Sequence, residues 1–356
     1  VHPLFASALA AICVLLIGPI FAVPRTGAST HEIFVQSYFP SAPQWITSLV
    51  FFGIVLWITY KENSVMDAIG KYLTPILLLI LFLIFVGAVL QPNASFAATD
   101  RIGLFAQGFK EGYQTMDVLA AIAFGGIVAR ALAAKNVTQP KDIVKYTISA
   151  GFVSVILLAG LYFSLFYLGA TSAAVAEGAT NGGQIFSRYV NVLFGSAGTW
   201  IMAGIIVLAS LTTLVGVTSA AADYFSKFSV RFSYPFWAAL FTAMTITVSQ
   251  YGLTDLLRIT IPALLLIYPV AIVLVLLQFL RKKLPSIKFT YNSTLIVTVC
   301  FSLCDSLNNV KMLPESINSL LEHFPLSSEG MAWLVPTLVM LVTSILIGKV
   351  LPKASH

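Results

Sequence analysis

Lys110, Glu111, Tyr113, Gln114, Thr115 and Asp117 sit inside an otherwise apolar stretch, residues 104–132, which reads LFAQGFKEGYQTMDVLAAIAFGGIVARAL. An acid is expensive in hydrocarbon and is tolerated mainly where it faces a cavity, an ion or a partner. Gly112 and the hydrogen-bonding side chains beside Asp117 are what a helix with an unwound centre needs, because each backbone group freed in a membrane must find a partner. A long loop ending at Asp117, followed by a short helix, fits the same residues. A second group is Ala209, Thr212 and Thr213, with Thr218 and Ser219 further along the same run. Adjacent threonines on a helix present two oxygens about 100° apart. Together with an unwound carbonyl from a neighbouring helix, such oxygens could build a site for a hard monovalent cation. The plainer role for any one hydroxyl is a bond to the carbonyl four residues earlier, or close helix packing.

The elements that position these residues follow from composition. Of 356 residues, 58% are hydrophobic and only 10% charged, against about 25% charged in a soluble domain. The chain is therefore read as an all-α integral membrane protein, since long uncharged runs favour helices over the alternating ten-residue segments of a barrel. Ten spans are expected, at about residues 4–23, 44–60, 72–90, 113–132, 145–168, 199–222, 235–253, 257–280, 292–306 and 331–350. The first carries Gly18-Pro19 and is expected to close at Pro24-Arg25-Thr26. Most basic residues, among them Lys71, Lys135, Lys141, Lys145, Lys227, Arg281, Lys282, Lys283 and Lys349, then fall on one side. The rule that positive loops stay inside places both ends of this chain in the cytoplasm, in a multi-pass cytoplasmic (inner) membrane protein. The lipid bilayer is the large partner; nucleic acid is a poor one, because the basic residues are scattered singly between spans.

Enzyme chemistry finds little support. There is no GxGxxG after a strand, no GxxxxGK[ST], no HExxH and no CxxC. His2, His31, His323 and His356 are all read as lying in termini or loops, outside any proton relay. Cys13, Cys300 and Cys304 lie in apolar runs and are expected to be buried free thiols, although Cys300 and Cys304 share a helix face. The connection of residues 169–198, with Glu177, Gly178, Asn181, Gly182 and Gly183, reads equally as a lid or a plain connector. The stretch of residues 305–329, holding Asp305, Glu315, Glu322 and Glu329, is expected to be a solvated external face. The chain starts at Val1 with an apolar run and without a signal-peptide pattern, which suggests that it begins partway through a longer protein.

Three motifs carry a family resemblance. GPIFAVPRT (residues 18–26), EGYQTMDVLAA (residues 111–121) and LTTLVGVTSAAADYF (residues 211–225) resemble the branched-chain amino acid carriers of bacteria, the BrnQ or LIVCS family, and the order of spans agrees along essentially the whole chain. That family belongs to the group with the LeuT-like fold, built from inverted repeats whose first helices are broken at the substrate site. The resemblance implies one transmembrane transporter domain over residues 1–356, corresponding to helices 3–12 of that fold and N-terminally incomplete, so that the chain holds only part of a site. It implies that residues 104–132 are the fold's sixth helix, broken near Gln114 to Asp117. Phe109, Tyr113, Gln114, Thr115, Met116 and Asp117 would then touch substrate: Phe109, Tyr113 and Met116 line the apolar part, and Asp117 or unwound carbonyls meet the ammonium. Asp117 fits equally well as a cap on the second half-helix. It also implies that Ala209, Thr212 and Thr213 match the A-x-x-[ST]-[ST] pattern of the eighth helix, which gives a sodium ion one carbonyl and two hydroxyls. The function so implied is sodium-coupled import of leucine, isoleucine and valine. A carrier of the same fold with another substrate or with proton coupling, and a transport-inactive truncated scaffold, are the alternatives.

Overall fold

A computed structural model describes residues 3–36, 39–60, 69–90, 104–175, 177–179, 182–228 and 231–350. Val1, His2, Asn181 and His356 lie outside them. Among the described residues every regular element is helical. In chain order these are α1 (Pro3–Leu15), α2 (Ala22–Thr30), α3 (Gln44–Tyr60), α4 (Thr74–Leu90), α5 (Leu104–Glu111), α6 (Asp117–Ala134), α7 (Pro140–Ala170), α8 (Gly182–Phe194), α9 (Ser196–Ser226), α10 (Tyr234–Ser249), α11 (Gly252–Leu280), α12 (Ile287–Asn309), α13 (Glu315–Leu321) and α14 (Leu334–Val350). The chain is thus all-α, because in lipid a helix satisfies its own backbone groups. Among the described residues six helical stretches are long and apolar enough to cross a membrane: Ser7–Val35, Lys71–Leu90, Pro140–Ala170, Ser196–Ser226, Gly252–Lys283 and Ile287–Asn309; Gln44–Tyr60 and Leu334–Lys349 are shorter apolar helices. On α7, Phe152, Val153, Ile156, Phe163 and Phe166 stand exposed, the apolar surface a bilayer accommodates and water does not.

The chain divides into two compact units. One comprises Val14–Thr99 and Phe124–Leu253, the other Val1–Cys13, Asp100–Ala123 and Thr254–His356. In the first unit α9 is the central helix, packed by α2, α3, α8 and α10. Its run Ser219, Ala220, Ala221, Ala222 is buried, and Ala221 comes close to Gly18. Small side chains permit this approach where no hydrophobic effect drives helices together. Ile205, Ile206 and Met202 of α9 pack with Ile84, Ala88, Tyr189 and Val190, so the aliphatic run before Ala209 is packing. The second unit joins α12 to α14 around Val270, Leu277, Tyr291, Leu295 and Trp333, with the Thr298 and Thr337 hydroxyls bonded at 3.1 Å.

The first span does not close at Pro24. A π-helical turn, Leu16–Ile20, kinks the chain at Gly18, whose ψ is −119°, and the helix restarts at Ala22 and continues through Val35. Pro24 falls in the first turn of the restarted helix, where a missing N–H leaves no bond unmade. The hydroxyls of Thr26 and Ser29 then bond back to the carbonyls of Ala22 and Arg25, at 2.8 and 2.9 Å. This extension carries His31 into a helix, where it is 2% exposed with Nδ1 3.0 Å from the Thr47 hydroxyl; it is not a loop histidine. The connection of residues 169–198 contains α8, whose Tyr189 is buried against the Thr171 hydroxyl at 3.0 Å. Cys13 is buried as expected, but Cys300 is exposed and Cys304 half-buried, because α12 turns that face outward.

Candidate functional site

Residues 104–134 form two helices with a break between them. α5 ends at Glu111, one tight 3-10 turn covers Gly112–Thr115, and Met116 takes the left-handed conformation at φ 59°, ψ 18°. The break therefore falls within the stretch read from sequence, but glycine does not make it. Gly112 is in a helical turn, and a buried methionine adopts the conformation that costs an L-residue about 1–2 kcal/mol. Strain of this kind persists only where the surroundings over-determine it. Met116 is held on both sides: its N–H donates to the Tyr113 carbonyl at 3.1 Å and its carbonyl accepts the Ala120 N–H at 2.9 Å. The second of these bonds opens α6.

Asp117 is the first residue of α6, where a carboxylate complements the positive end of the helix. Its Oδ2 accepts the Thr115 hydroxyl at 3.0 Å, and Thr115 also donates to the Gly112 carbonyl at 2.8 Å. Gln114 donates to the Glu111 carboxylate. The carbonyls of Gly112, Tyr113 and Met116 thus already accept bonds within the break. A carboxylate at a helix start, already ordered by a threonine, is chemically fit to receive an ammonium, and it caps the helix in the same position.

Tyr113 is the anchor. It is 3% exposed, stacks on Tyr268 of α11 with ring centroids 4.6 Å apart, and meets Phe109 edge-on at 5.6 Å. Phe109 itself is 40% exposed, whereas Met116 is buried. Beside the break a small recess of about 30 Å³ is lined by Lys110, Glu111, Tyr113 and Gln114 on one side and by Ile261, Leu264 and Leu265 on the other. One wall is aromatic and polar, the other aliphatic. Ile261, Leu264, Leu265 and Tyr268 were not singled out from sequence because they lie in an unbroken apolar run. Pro262 and Pro269, both inside α11, were the available signal, since a proline in a helix interior removes a backbone hydrogen bond.

Ala209, Thr212 and Thr213 lie on α9, in the other unit. Thr212 is half-buried, and its hydroxyl donates to the Ala209 carbonyl at 2.9 Å. Two of the three expected sodium ligands are therefore already side by side, one satisfying the other. Thr213 faces outward. A neutral oxygen cluster of this type suits a hard monovalent cation better than a transition metal, and binding would require the Thr212 hydroxyl to swing its proton away from Ala209.

One acid is corrected. Asp305 does not belong to a solvated loop. It lies in the last turns of α12 and is 2% exposed, while Glu315 and Glu322 are exposed as expected. The helix continues three residues past Ser306, to Asn309, with Ser302 and Asp305 on its buried face.

Comparison with known proteins bears on what such a broken-helix recess serves. The family described as "Branched-chain amino acid transport protein" matches residues 1–351. The branched-chain amino acid permease BrnQ of Haemophilus influenzae is 73% identical over 353 residues, 96% of this chain and 80% of the relative. The branched-chain amino acid transport system 3 carrier protein of Pseudomonas aeruginosa is 35% identical, across 98% of this chain and 80% of the relative. The BrnQ permease of Escherichia coli K12 is 33% identical, across 95% and 78%. A chain with a helix broken at a lined recess, matched by the family over residues 1–351, belongs to the branched-chain amino acid transport protein family and is a multi-pass membrane transporter, not an enzyme.

Proposed function

We propose that this chain carries leucine, isoleucine and valine across the cytoplasmic membrane by sodium symport, with both of its ends on the cytoplasmic side. The observation that supports it best is the helix break between Glu111 and Asp117. An aliphatic amino acid needs an apolar surface for its side chain and polar groups for its ammonium and carboxylate. Ile261, Leu264 and Leu265 supply the first beside the break, and Asp117, at the start of α6 and outside that lining, offers an acceptor for the ammonium. Breaking a helix in mid-membrane is costly, and the interruption repays that cost where its polar groups meet cargo. Sodium coupling rests on Ala209, Thr212 and Thr213 and on their match to the carrier pattern. Coupling is reciprocal, so bound sodium strengthens substrate binding by the factor by which substrate strengthens sodium binding.

The test is binding of radiolabelled isoleucine to the purified protein at varied sodium concentration, with leucine, valine and alanine as competitors. The expected result is binding that rises with sodium and is displaced by leucine and valine at lower concentrations than by alanine. Equal binding with sodium and with choline would remove the coupling ion, and displacement by alanine at the same concentration as leucine would remove the substrate class.

A further inference from the structure

One end of the second unit gathers positive charge and no negative charge. Arg281, Lys282 and Lys283 form the turn after α11, Lys288 lies in the first turn of α12, and Lys349 in the last turn of α14. All five are exposed, and among the described residues none of them is ion-paired. The reason is in the sequence: residues 256–304 and 330–356 contain no acid. Other basic residues have company, since Lys227 pairs with Asp223 at 2.9 Å and Lys141 is followed by Asp142. Packing brings the five together. A Cβ on Gly348 would lie 3.4 Å from the side chains of Pro285 and Ser286, which sets Lys349 beside the turn. The Tyr291 hydroxyl donates to Gln278 Oε1 at 3.2 Å, tying the end of α11 to the start of α12, and Leu277, Leu284 and Tyr291 share one buried core beneath. Beside the cations Phe279, Ile287, Phe289 and Leu346 are exposed, Phe279 by 82%.

We propose that this end of the unit binds an anionic phospholipid, with the phosphate among Arg281, Lys282, Lys283, Lys288 and Lys349 and the acyl chains against Phe279, Ile287, Phe289 and Leu346. Positive loops are enough to set the orientation of a membrane protein, but orientation does not require that they be stripped of acids and packed together from three helices. Five like charges so placed repel one another, and an anion relieves that repulsion. The occupant must present negative charge and hydrocarbon in one molecule. Inorganic phosphate meets only the cations, and a water-soluble acidic partner leaves the exposed phenylalanines unmet. A phospholipid meets both, and an anionic one gains about fivefold in affinity for each lysine or arginine near the membrane surface. Arg281 adds a planar fork that holds phosphate oxygens with two parallel bonds. The place is apart from the helix break and from Ala209, Thr212 and Thr213, so it does not rest on sodium symport.

Native mass spectrometry of the detergent-purified protein, titrated with phosphatidylglycerol or with phosphatidylcholine, reads this without substrate or sodium. The wild type is expected to retain phosphatidylglycerol at concentrations where phosphatidylcholine is lost. Combining Arg281→Gln, Lys282→Gln and Lys283→Gln is expected to weaken phosphatidylglycerol binding by roughly tenfold or more. Combining Lys135→Gln, Lys141→Gln and Lys145→Gln removes the same charge from a loop that has its own acid, and is expected to change binding by less than about twofold. The lipid should also raise the melting temperature of the wild type and of the second variant, but not of the first, because a ligand stabilises only the fold that binds it. Should the first variant fail to fold, Lys288→Gln with Lys349→Gln decides, and the same weakening is expected. Equal retention of the two lipids, equal losses in the two triple variants, or displacement of the lipid by inorganic phosphate overturns the proposal.

Discussion

Glu32 Oε1 accepts the backbone N–H of Leu253 at 2.8 Å, joining the end of the first long helix to the start of α11 across most of the unit's sequence. Leu253 is the second residue of α11, where the first N–H groups have no partner within the helix. The preceding Gly252 has φ 76°, so the chain turns sharply into the helix and no side chain of its own can cap it. A glutamate from another helix takes that role, adding a negative charge at the positive end.

Glu32→Ala should therefore lower stability by about 1–2 kcal/mol, the range for a lost helix cap. Glu32→Gln keeps the acceptor oxygen and gives up the charge, so its cost should be about half as large. Thermal unfolding of the purified protein in detergent checks the order wild type, Gln, Ala. Equal melting for Gln and Ala would show that the charge alone, rather than the bond, holds the helix start.

Gly27 packs against Phe52 so closely that an added Cβ would overlap the ring's Cζ. Phe52 is buried and has little room to withdraw. Gly27→Ala should cost about 1–3 kcal/mol, as overpacking does in a filled interior. Gly27→Ala combined with Phe52→Leu should recover part of that loss, so the two changes should be clearly non-additive. Additive losses in melting temperature would place the damage in the helix backbone instead.

The helix break was legible because Gly112, Gln114, Thr115 and Asp117 interrupt an apolar run, a pattern that few other membrane structures explain. Its conformation was not: helix-breaking is ordinarily assigned to glycine, and nothing in the type of residue 116 says that a methionine bends there. The aliphatic wall of Ile261, Leu264 and Leu265 was invisible for the opposite reason, since those side chains look like any lipid-facing run until the fold shows which way they point. Ending each apolar run at the nearest polar residue or proline puts Asp305 and His31 in loops. Both helices continue past those points: Pro24 sits in a first turn, and Asp305 is enclosed by α14.

The left-handed Met116 yields a sharper test of the break. A β-branched residue is severely strained at positive φ, whereas Leu differs little from Met in volume and branches one carbon further out. Met116→Leu should retain isoleucine binding within about threefold. Met116→Ile, equal in size, should lose tenfold or more, because at least 1.4 kcal/mol of added strain falls on the break. Indistinguishable binding by the two variants would mean that the left-handed turn is not maintained in the protein that binds substrate.

Thr212 and Thr213 separate ion binding from packing. In the structure Thr212 bonds the Ala209 carbonyl, a contact that α9 does not need for its own ladder, and Thr213 faces outward, so neither hydroxyl supports the core. Removing them should leave the melting temperature in sodium-free buffer nearly unchanged, as surface-like substitutions usually do. Each oxygen that coordinates sodium contributes as a hydrogen bond to a charged group does, about 1.5–3 kcal/mol. Thr212→Ala and Thr213→Ala should therefore each raise the sodium concentration for half-maximal isoleucine binding by roughly tenfold or more, and the pair by more than either. Serine at the same positions keeps the oxygen and should keep most of the affinity. A sodium requirement unmoved in the double alanine variant would take these residues out of the ion site, and a large fall in melting temperature without sodium would make them packing residues.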